Sequence, residues 1–322
     1  MKEEVFICTF SDINYIQHTC VMLKSIALIR NLSRTYSIFF FYSDCSEGVI
    51  QKVGKEFENE RNFNLSFIEC NVYKQYSSKL KLNHSSMAIY AKVFIYDLLP
   101  ENVKKVLFLD SDIVLLNDPA ELFDSDIDNH LVGAVQDFYY KNAPVEMKVA
   151  LNLYSEDDYF NSGVLLVNVC RWKKEKISEK SIQFMVDHGH RTMFHDQDGF
   201  NFVIKGDWER LSPLWNPGSR NVIYAENGET IEITSKEIYQ KGMAKLVHYL
   251  GSNKPWLYMS DHPMKFHYLN ILSKTQFANY IFPDKTIKNI FKKEFLKIKK
   301  KIVHLIISIK TRITILNPKI VL

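Results

Sequence analysis

Short apolar runs alternate with longer stretches of helical periodicity along the first part of the chain. Val5 to Phe10, Tyr36 to Tyr42 and Leu65 to Cys70 are the first such runs, and amphipathic segments separate them. Strands that alternate with helices are typical of an α/β fold with a mostly parallel sheet. The run Val106 to Leu109 contains no polar residue, which predicts a strand that is buried on both of its faces.

The remaining elements are predicted from the same patterns. A first helix is expected after Tyr15 and up to about Asn31. Further helices are expected at Glu47–Arg61, Met87–Leu99, Lys173–Arg191 and Asp196–Lys205. Further strands are expected at Leu131–Gln136, Val164–Asn168, Arg210–Asn216, Val222–Tyr224 and Ala244–Tyr249. No internal repeat or low-complexity linker interrupts residues 1–284. This range is therefore predicted to form one folded domain.

Two carboxylates follow the buried strand. Asp110 ends the apolar run and Asp112 comes one residue later, so in extended backbone both side chains point to the same side. Ligands of open α/β sheets bind at the carboxyl ends of the strands. Paired carboxylates at such a position repel each other unless a cation lies between them. The cation at such sites is usually Mg²⁺ or Mn²⁺, which also binds the diphosphate of a substrate.

The Asp-x-Asp spacing is common and carries little weight alone. It recurs at Asp124/Asp126, Asp126/Asp128 and Asp196/Asp198. The repeats between Asp124 and Asp128 are read as a solvated loop, because carboxylates are mostly exposed. The buried strand before Asp110 and the turn residues Asn117 to Pro119 favour the Asp110/Asp112 pair.

Two other acidic positions have competing interpretations. Asp12 or Asn14 follows the first strand and can either cap the next helix or contact a nucleotide, and Asp196 can cap the helix that it opens. No glycine-rich fingerprint accompanies the first turn, so a dinucleotide site of the Rossmann type or a P-loop is not supported.

The cysteines and the N-terminal sequence indicate the cellular compartment of the protein. The five cysteines are scattered, odd in number and without a C-x-x-C pair, which argues against a disulfide framework or a zinc site and for a reducing compartment. The N-terminus is acidic where an export signal is basic. No apolar run approaches the length that spans a bilayer. The sequence predicts a cytoplasmic protein.

Charge is distributed unevenly. Residues 285–322 carry eleven Lys or Arg and one acid, whereas residues 1–284 carry a net charge of −6. Isoleucines and leucines are interleaved with the lysines from Lys297 to Lys310, and Ile302 to Ile309 is apolar but short. This pattern predicts a basic amphipathic tail on an anionic membrane surface. A disordered, solvated tail is the alternative. Nucleic-acid binding is disfavoured because no binding module accompanies the charge.

Five motifs occur in the order of a known family. They are Asp12–Tyr15, Leu107–Asp112, Asn161–Gly163 with Val164–Asn168, Asp196–Asp198, and His248–Gly251 with Lys254–Trp256. The chain resembles the family-8 retaining glycosyltransferases over roughly Val5 to Trp256, in particular the bacterial lipopolysaccharide and lipooligosaccharide α-galactosyl- and glucosyltransferases. Glycogenin and the plant galacturonosyltransferases are more distant members. Each motif alone is common, but all five in order are specific.

The resemblance implies a GT-A fold and a role for each matching residue. Asp110, Asp112 and His248 would hold Mn²⁺, with Mg²⁺ as the alternative. Asp12, Asn14 and Tyr15 would contact the uridine. Gly251 and Lys254 would hold the diphosphate. Asp137, Asn161, Asp196 and Gln197 would line the donor sugar, the last two as catalytic residues. Lys92 replaces the arginine that the family has before the Asp-x-Asp strand and offers the donor a point charge in place of a bidentate fork.

The implied activity is retaining transfer of galactose or glucose from a UDP-sugar to a saccharide acceptor, expected to be lipid-linked, at the inner face of the membrane. Gln197 is a poor nucleophile, which favours attack by the acceptor hydroxyl on the same face of the sugar, with help from the departing phosphate oxygen. The alternatives are a non-catalytic nucleotide-sugar-binding module and a metal-dependent nucleotidyltransferase, which would release pyrophosphate.

Overall fold

The computed structural model describes residues 4–76, 90–218, 220–224, 230–296, 298–299 and 302. The strands are β1 Glu4–Ser11, β2 Thr35–Tyr42, β3 Phe63–Glu69, β4 Lys105–Leu109, β5 Ile113–Leu115, β6 Val132–Gln136, β7 Phe160–Asn168, β8 Trp208–Arg210, β9 Asn221–Tyr224, β10 Thr230–Ile233 and β11 Leu246–His248. The helices are α1 Ile16–Ile29, α2 Glu47–Phe57, α3 Ala91–Phe94, α4 Ala120–Phe123, α5 Val145–Leu151, α6 Val169–Lys174, α7 Ile177–His188, α8 Asp196–Ile204, α9 Ser235–Gln240 and α10 Lys265–Leu272. Residues 287–296 are also helical.

In the described part of the chain, a seven-stranded sheet has the order β3-β2-β1-β4-β7-β6-β8. The pairs β1/β2, β2/β3, β1/β4 and β6/β8 are parallel, whereas β7 runs antiparallel to both of its neighbours. The prediction of an α/β fold with a mostly parallel sheet is confirmed. Because β7 is reversed, its first residues lie at the same edge as the carboxyl ends of β1, β4 and β6.

Strand β4 is buried on both faces, as its unbroken apolar run predicted. Val106 and Phe108 pack into one hydrophobic core, and Leu107 and Leu109 pack into the core on the opposite face of the sheet. All four side chains are at most 1% exposed. Burial of such a side chain contributes about 1.5–3 kcal/mol to the free energy of unfolding, so the strand that carries Asp110 is held firmly between the two cores.

A separate two-stranded ribbon connects the centre of the chain with its later part. Strand β5 pairs antiparallel with β11, and His248 lies opposite Ile113. The backbone N–H of Tyr249 donates to the carbonyl oxygen of Asp112 over 3.0 Å. This register brings His248 beside the residue that precedes β5, although a long stretch of sequence separates them.

The predicted helix Met87–Leu99 is shorter in the structure. Its first residues lie outside the described part of the chain, and α3 ends at Phe94. The N–H groups of Asp97 and Leu98 then bond to carbonyl oxygens three residues earlier. Pro100 disfavours helical backbone at the residue before it, so the segment closes in turns.

Two other predicted elements are wrong in extent. The strand Arg210–Asn216 ends at Arg210, and a 3₁₀ turn follows at Pro213–Trp215, because Pro213 has no N–H for a sheet and the Ser212 hydroxyl accepts the N–H of Leu214. The helix predicted at Lys173–Arg191 is split into α6 and α7 at Lys176, whose φ of 55° is left-handed.

The basic tail is described only in its first part. Thr286 Oγ1 accepts the N–H of Asn289 over 3.2 Å and thereby caps the helix over residues 287–296. Ile287, Phe291 and Phe295 are four residues apart along one side of it, and each is at least 66% exposed. The predicted apolar run to Ile309 lies outside the described residues beyond Ile302. Among the helices that the structure describes, none is long and apolar enough to cross a membrane.

Candidate active site

A pocket of about 1060 Å³ opens at the edge of the sheet where β1, β4 and β6 end and β7 begins. The residues singled out from the sequence all line it: Asp12, Asn14, Tyr15, Lys92, Asp110, Asp112, Asp137, Asn161, Asp196, Gln197, His248, Gly251 and Lys254. The fold therefore brings together side chains from both ends of the chain, and their individual roles remain predictions.

Asp110, Asp112 and His248 form a cluster that can hold a metal ion. One ligand atom from each lies within 4.8 Å of the others. His248 Nε2 is 3.1 Å from Asp112 Oδ1 and 3.7 Å from Asp110 Oδ2. Two carboxylate oxygens and one imidazole nitrogen suit a divalent cation that keeps open positions for other oxygen ligands, so the residues present fit Mn²⁺ or Mg²⁺.

Asn216 orients the imidazole of His248. The Asn161 side-chain oxygen accepts the N–H of Gly163 over 2.9 Å and the Asn216 amide N–H over 2.8 Å. The Asn216 oxygen is thereby turned to His248 Nδ1, at 2.9 Å. An amide oxygen only accepts, so Nδ1 carries a ring hydrogen and Nε2 is the nitrogen that faces the two carboxylates and is available to a metal ion.

Gly163 leaves the space in which this cluster forms. A Cβ atom at Gly163 would collide with the imidazole ring of His248 and would lie 2.6 Å from Asp110 Oδ2. The glycine of the Asn161–Gly163 motif is thus required by the close approach of β7 to two of the three ligands, and not by turn geometry.

Asp112 is held ionised by two neighbours. Lys254 donates a hydrogen bond to Asp112 Oδ2 and another, of 2.7 Å, to the carbonyl oxygen of Tyr249. Burial would raise the pKa of Asp112, but His248 and Lys254 outweigh it and hold the pKa well below its ordinary value. At Asp110 the balance is opposite, because burial outweighs the attraction of Lys92 and raises the pKa of that carboxyl.

Lys92 bridges the metal cluster and the other end of the pocket. Its ammonium lies 3.1 Å from Asp110 Oδ1 and 3.2 Å from both Asp196 Oδ2 and the Ser162 hydroxyl. Burial alone would lower the pKa of Lys92, but the two carboxylates outweigh it and raise that pKa. Lys92 is 5% exposed, so it acts as an internal counter-charge.

The Asp12 carboxylate holds the turn after β1, whereas Tyr15, the residue before α1, makes no side-chain cap contact. Asp12 Oδ1 accepts the N–H groups of Asn14 and Tyr15 over 2.9 and 3.1 Å. The Tyr15 ring packs edge-on against Trp256, which also stacks on the ring of His18 with 3.6 Å between the ring centroids. Burial lowers the pKa of His18 to about 3, so this ring is a neutral part of the wall that joins α1 to the segment with Lys254.

At the opposite end of the pocket, Asp196 is the first residue of α8 and is not its cap. His195 precedes the helix and makes no side-chain cap contact. The Asp196 carboxylate instead accepts from the Ser162 hydroxyl over 3.0 Å and pairs with Lys92. Asp198, on the same turn, accepts the N–H groups of Met193 and Phe194 over 2.8 and 2.7 Å. The capping interpretation of Asp196 is therefore wrong.

The sequence analysis missed several residues that support this site. Asn216, Ser162 and Tyr159 each contact a residue that it identified, and Asp198 contacts Tyr159. Asn216 had been placed in a strand, and Asp198 belonged to the Asp196–Asp198 motif but was given no role. Ser162 lies within the Asn161–Gly163 motif and Tyr159 lies two residues before it, and this proximity is the signal that could have marked them.

Comparisons with known proteins agree with the geometry. Residues 6–260 match Glycosyl transferase family 8. General stress protein A of Bacillus subtilis is 27% identical over 283 residues, which cover 85% of this chain and 96% of that protein. Lipopolysaccharide 1,2-glucosyltransferase of Escherichia coli is 25% identical over 308 residues, which cover 92% of this chain and 84% of that protein.

Solved structures show the same fold. The galactosyltransferase LgtC, in complex with donor and acceptor sugar analogs, superposes with a TM-score of 0.70 at 22% identity over 84% of this chain and 96% of that one. The apo structure of the bifunctional glycosyltransferase WbbM has a TM-score of 0.67 at 22% identity, over 87% of this chain and 51% of that one. The expected GT-A fold is confirmed, and the match over residues 6–260 shows that the chain belongs to glycosyl transferase family 8.

Proposed function

We propose that the protein transfers a hexose, galactose or glucose, from a UDP-sugar to a saccharide acceptor with retention of anomeric configuration, and that it requires Mn²⁺. The observation that carries the proposal is the convergence of the Asp110, Asp112 and His248 cluster, Lys254 and the Asp196–Gln197 pair in one pocket of a family-8 chain. The similarity to a lipopolysaccharide glucosyltransferase and to LgtC supports a hexose and a glycan acceptor.

Asp110, Asp112 and His248 would hold the metal, and an imidazole ligand favours Mn²⁺ over Mg²⁺, which prefers oxygen ligands. When bound, the ion neutralises charge on the donor diphosphate. Lys254 lies beside Asp112 and adds a positive charge at the same place. Because the leaving diphosphate gains charge as the glycosidic bond breaks, a cation fixed there stabilises the transition state more than the ground state.

The other end of the pocket fits a neutral sugar. The charge of Lys92 is already balanced by Asp110 and Asp196, and Asp137 adds a further carboxylate. Among the described residues that line this end of the pocket, no uncompensated cation remains to receive the carboxylate of a uronic acid, and placing that carboxylate beside these acids is costly in a partly buried site. Hydroxyl groups of a hexose can instead donate to these oxygens.

Gln197 and Asp196 border the position of the reacting carbon. The anomeric carbon gains positive charge in an oxocarbenium-like transition state, which carboxylate and amide oxygens stabilise. Neither amide oxygen nor nitrogen of Gln197 is an effective nucleophile, so the acceptor hydroxyl would attack on the face from which the diphosphate departs and give its proton to a phosphate oxygen.

The acceptor would be a lipid-linked glycan, lipopolysaccharide or a related molecule, at the cytoplasmic face of the membrane. The exposed apolar side of the helix over 287–296 and the lysines around it support docking of the tail on an anionic leaflet. The catalytic domain over 1–284 and the membrane-associating tail over 285–322 remain the proposed division of the chain.

A panel of UDP-sugars, incubated with and without Mn²⁺, tests this function. We expect metal-dependent release of UDP with one UDP-hexose and faster release when a suitable glycan is added. Release of pyrophosphate would identify a nucleotidyltransferase instead. Binding of UDP-sugars without any turnover across a broad glycan panel would identify a binding module.

A further inference from the structure

The side-chain amide of Gln197 has three polar neighbours. Its nitrogen donates to the Tyr159 hydroxyl over 3.0 Å and to Asp137 Oδ2 over 3.2 Å, and its oxygen accepts the backbone N–H of Ser162 over 3.0 Å. Both amide hydrogens are therefore used, whereas the oxygen keeps one lone pair. Gln197 lines the pocket although it is only 6% exposed.

These neighbours distinguish the observed amide from the flipped one. A flipped Gln197 would turn its oxygen to the Asp137 carboxylate, and its NH₂ group to the N–H of Ser162. The first contact joins two acceptors and the second joins two donors. The Tyr159 hydroxyl is the exception, because a hydroxyl can rotate and either accept or donate. Its direction depends on what its own hydrogen contacts.

The hydrogen of Tyr159 points away from Gln197. Tyr159 donates to Asp198 Oδ1 over 2.5 Å. The other oxygen of Asp198 accepts the backbone N–H groups of Met193 and Phe194, and the whole side chain is 0% exposed. A carboxylate so placed can only accept, so it requires a donor from Tyr159, and the tyrosine oxygen must then accept from Gln197.

We propose that Tyr159 and the Asp198 carboxylate are positioning residues that set the orientation of the Gln197 amide, so that its carbonyl oxygen faces the donor sugar. The inference rests on the proposed function, in which Gln197 borders the reacting carbon. Neither residue touches the sugar. They act through a chain of two hydrogen bonds that has one direction, from Gln197 through Tyr159 to Asp198.

Asp198→Asn would reverse this chain. The backbone N–H groups of Met193 and Phe194 cannot rotate, so the asparagine oxygen has to face them and its NH₂ group faces Tyr159. The tyrosine hydroxyl then accepts from Asn and donates toward Gln197, which favours the flipped amide. Tyr159→Phe only removes the hydroxyl, and Ser162 and Asp137 continue to favour the observed orientation.

The experiment compares kcat of donor hydrolysis for Tyr159→Phe, Asp198→Asn and the double variant. We expect about a tenfold loss for Tyr159→Phe, as for one lost hydrogen bond, and a loss of about a hundredfold or more for Asp198→Asn. The double variant should be faster than Asp198→Asn alone, because phenylalanine cannot transmit the reversal. The Kd of UDP should stay within about twofold of wild type in all three.

Tyr140→Phe is the matched control. Its ring stacks on Tyr159 at 5.0 Å, but its hydroxyl contacts the carbonyl oxygen of Lys148 and not Gln197. It should keep wild-type kcat. Thermal unfolding of each variant shows whether it is folded, and wild-type turnover of the donor tests the proposed function separately.

A double variant slower than Asp198→Asn would overturn the proposal, because losses that accumulate indicate structural damage at two sites. Equal losses for Tyr159→Phe and Tyr140→Phe would overturn it as well. If the wild-type enzyme hydrolyses no UDP-sugar, the result contradicts the proposed function itself, and the catalytic role inferred for the chain of hydrogen bonds is contradicted with it.

Discussion

At the scale of single residues, the two acids of the metal cluster have opposite electrostatic environments. Asp112 contacts both Lys254 and His248, whereas the ammonium near Asp110 is shared with Asp196. The pKa of Asp112 is lowered and that of Asp110 is raised. Ionised Asp112 therefore stabilises the ligand-free fold at neutral pH, whereas ionised Asp110 does not.

We expect Asp112→Asn and Asp110→Asn to abolish transfer equally but to change stability differently. In the absence of metal and nucleotide at pH 7, Asp112→Asn should lower the free energy of unfolding, and Asp110→Asn should leave it unchanged or raise it. Chemical denaturation measures both. The lost stability should shrink as the pH falls through the low pKa of Asp112, because the wild-type carboxylate then also becomes neutral. Equal destabilisation by the two substitutions would contradict this assignment.

The titration of Asp198 predicts a pH dependence of the catalytic step. Burial raises the pKa of Asp198 to about 6, despite the hydrogen bonds from Tyr159, Phe194 and Met193. Below that pH a protonated Asp198 can donate to Tyr159, as asparagine would. Asp196 lies on the same helix, and on the facing elements the titratable groups are Tyr159, Tyr140 and, beyond Tyr159, Asp137.

We expect kcat of the wild-type enzyme to fall as the pH is lowered through about 6, and Tyr159→Phe to flatten that limb. The contribution of Asp198 to folding stability depends on pH in the opposite direction. A carboxyl with a raised pKa binds its proton more tightly in the folded state, so the folded protein loses stability as the pH rises toward that pKa. A pH–kcat profile of the two proteins checks the prediction. An unchanged limb in Tyr159→Phe would assign it to another group.

At the scale of elements, the loop that carries Lys254 is fastened from the C-terminal side. Asp284 accepts the N–H groups of Tyr258 and Met259 over 2.5 and 2.9 Å. Lys293, in the first part of the tail, donates to the carbonyl oxygen of Tyr258. Asp284 is the last residue of the proposed domain, and the Lys293 contact crosses the boundary, so the beginning of the tail also supports the pocket.

We expect Asp284→Ala to weaken UDP binding by about tenfold, because two backbone N–H groups lose their acceptor and Lys254 loses its fixed position. The kcat at saturating donor should change less. Isothermal titration with UDP and Mn²⁺ measures the affinity. Thr286→Ala is the control, since it removes the cap of the tail helix without contacting the loop. Equal weakening by both variants would mean that the tail helix as a whole, and not Asp284, holds the loop.

At the scale of the whole molecule, a body of negative net charge carries a strongly basic tail. Seven of the eleven basic residues in the tail lie beyond Leu296. Each of them near an anionic surface contributes on the order of 1 kcal/mol, and salt screens this attraction within a Debye length. The apolar side of the helix over 287–296 adds burial in the lipid interface.

We expect a chain that ends at Leu296 to lose most of its binding to anionic vesicles while it keeps hydrolysis of the donor sugar. A cut after Pro283 would also remove Asp284 and Lys293, and is expected to impair the donor site as well. Vesicle sedimentation at low and moderate salt, with neutral vesicles as the control, measures the binding. Persistent binding of the shorter chain at moderate salt would locate the anchor in the remaining body or in the helix over 287–296.

The sequence by itself determined the features that depend on local patterns. The apolar run before Asp110 predicted a strand buried on both faces, since an unbroken run can be satisfied only between two layers. The order of five short motifs predicted the family. Charge counts predicted a division between body and tail, which stays a prediction. Each of these depends only on short segments, on their order or on the composition of the chain.

Only the tertiary structure decided which side chains meet. His248 reaches Asp112 through the register of β11 on β5, and Asn216 reaches His248 through a turn that had been predicted as a strand. The chain from Gln197 through Tyr159 to Asp198 joins α8 to the start of β7. Such contacts depend on strand order and register, which local periodicity does not encode, and on the requirement that each buried polar group find a partner.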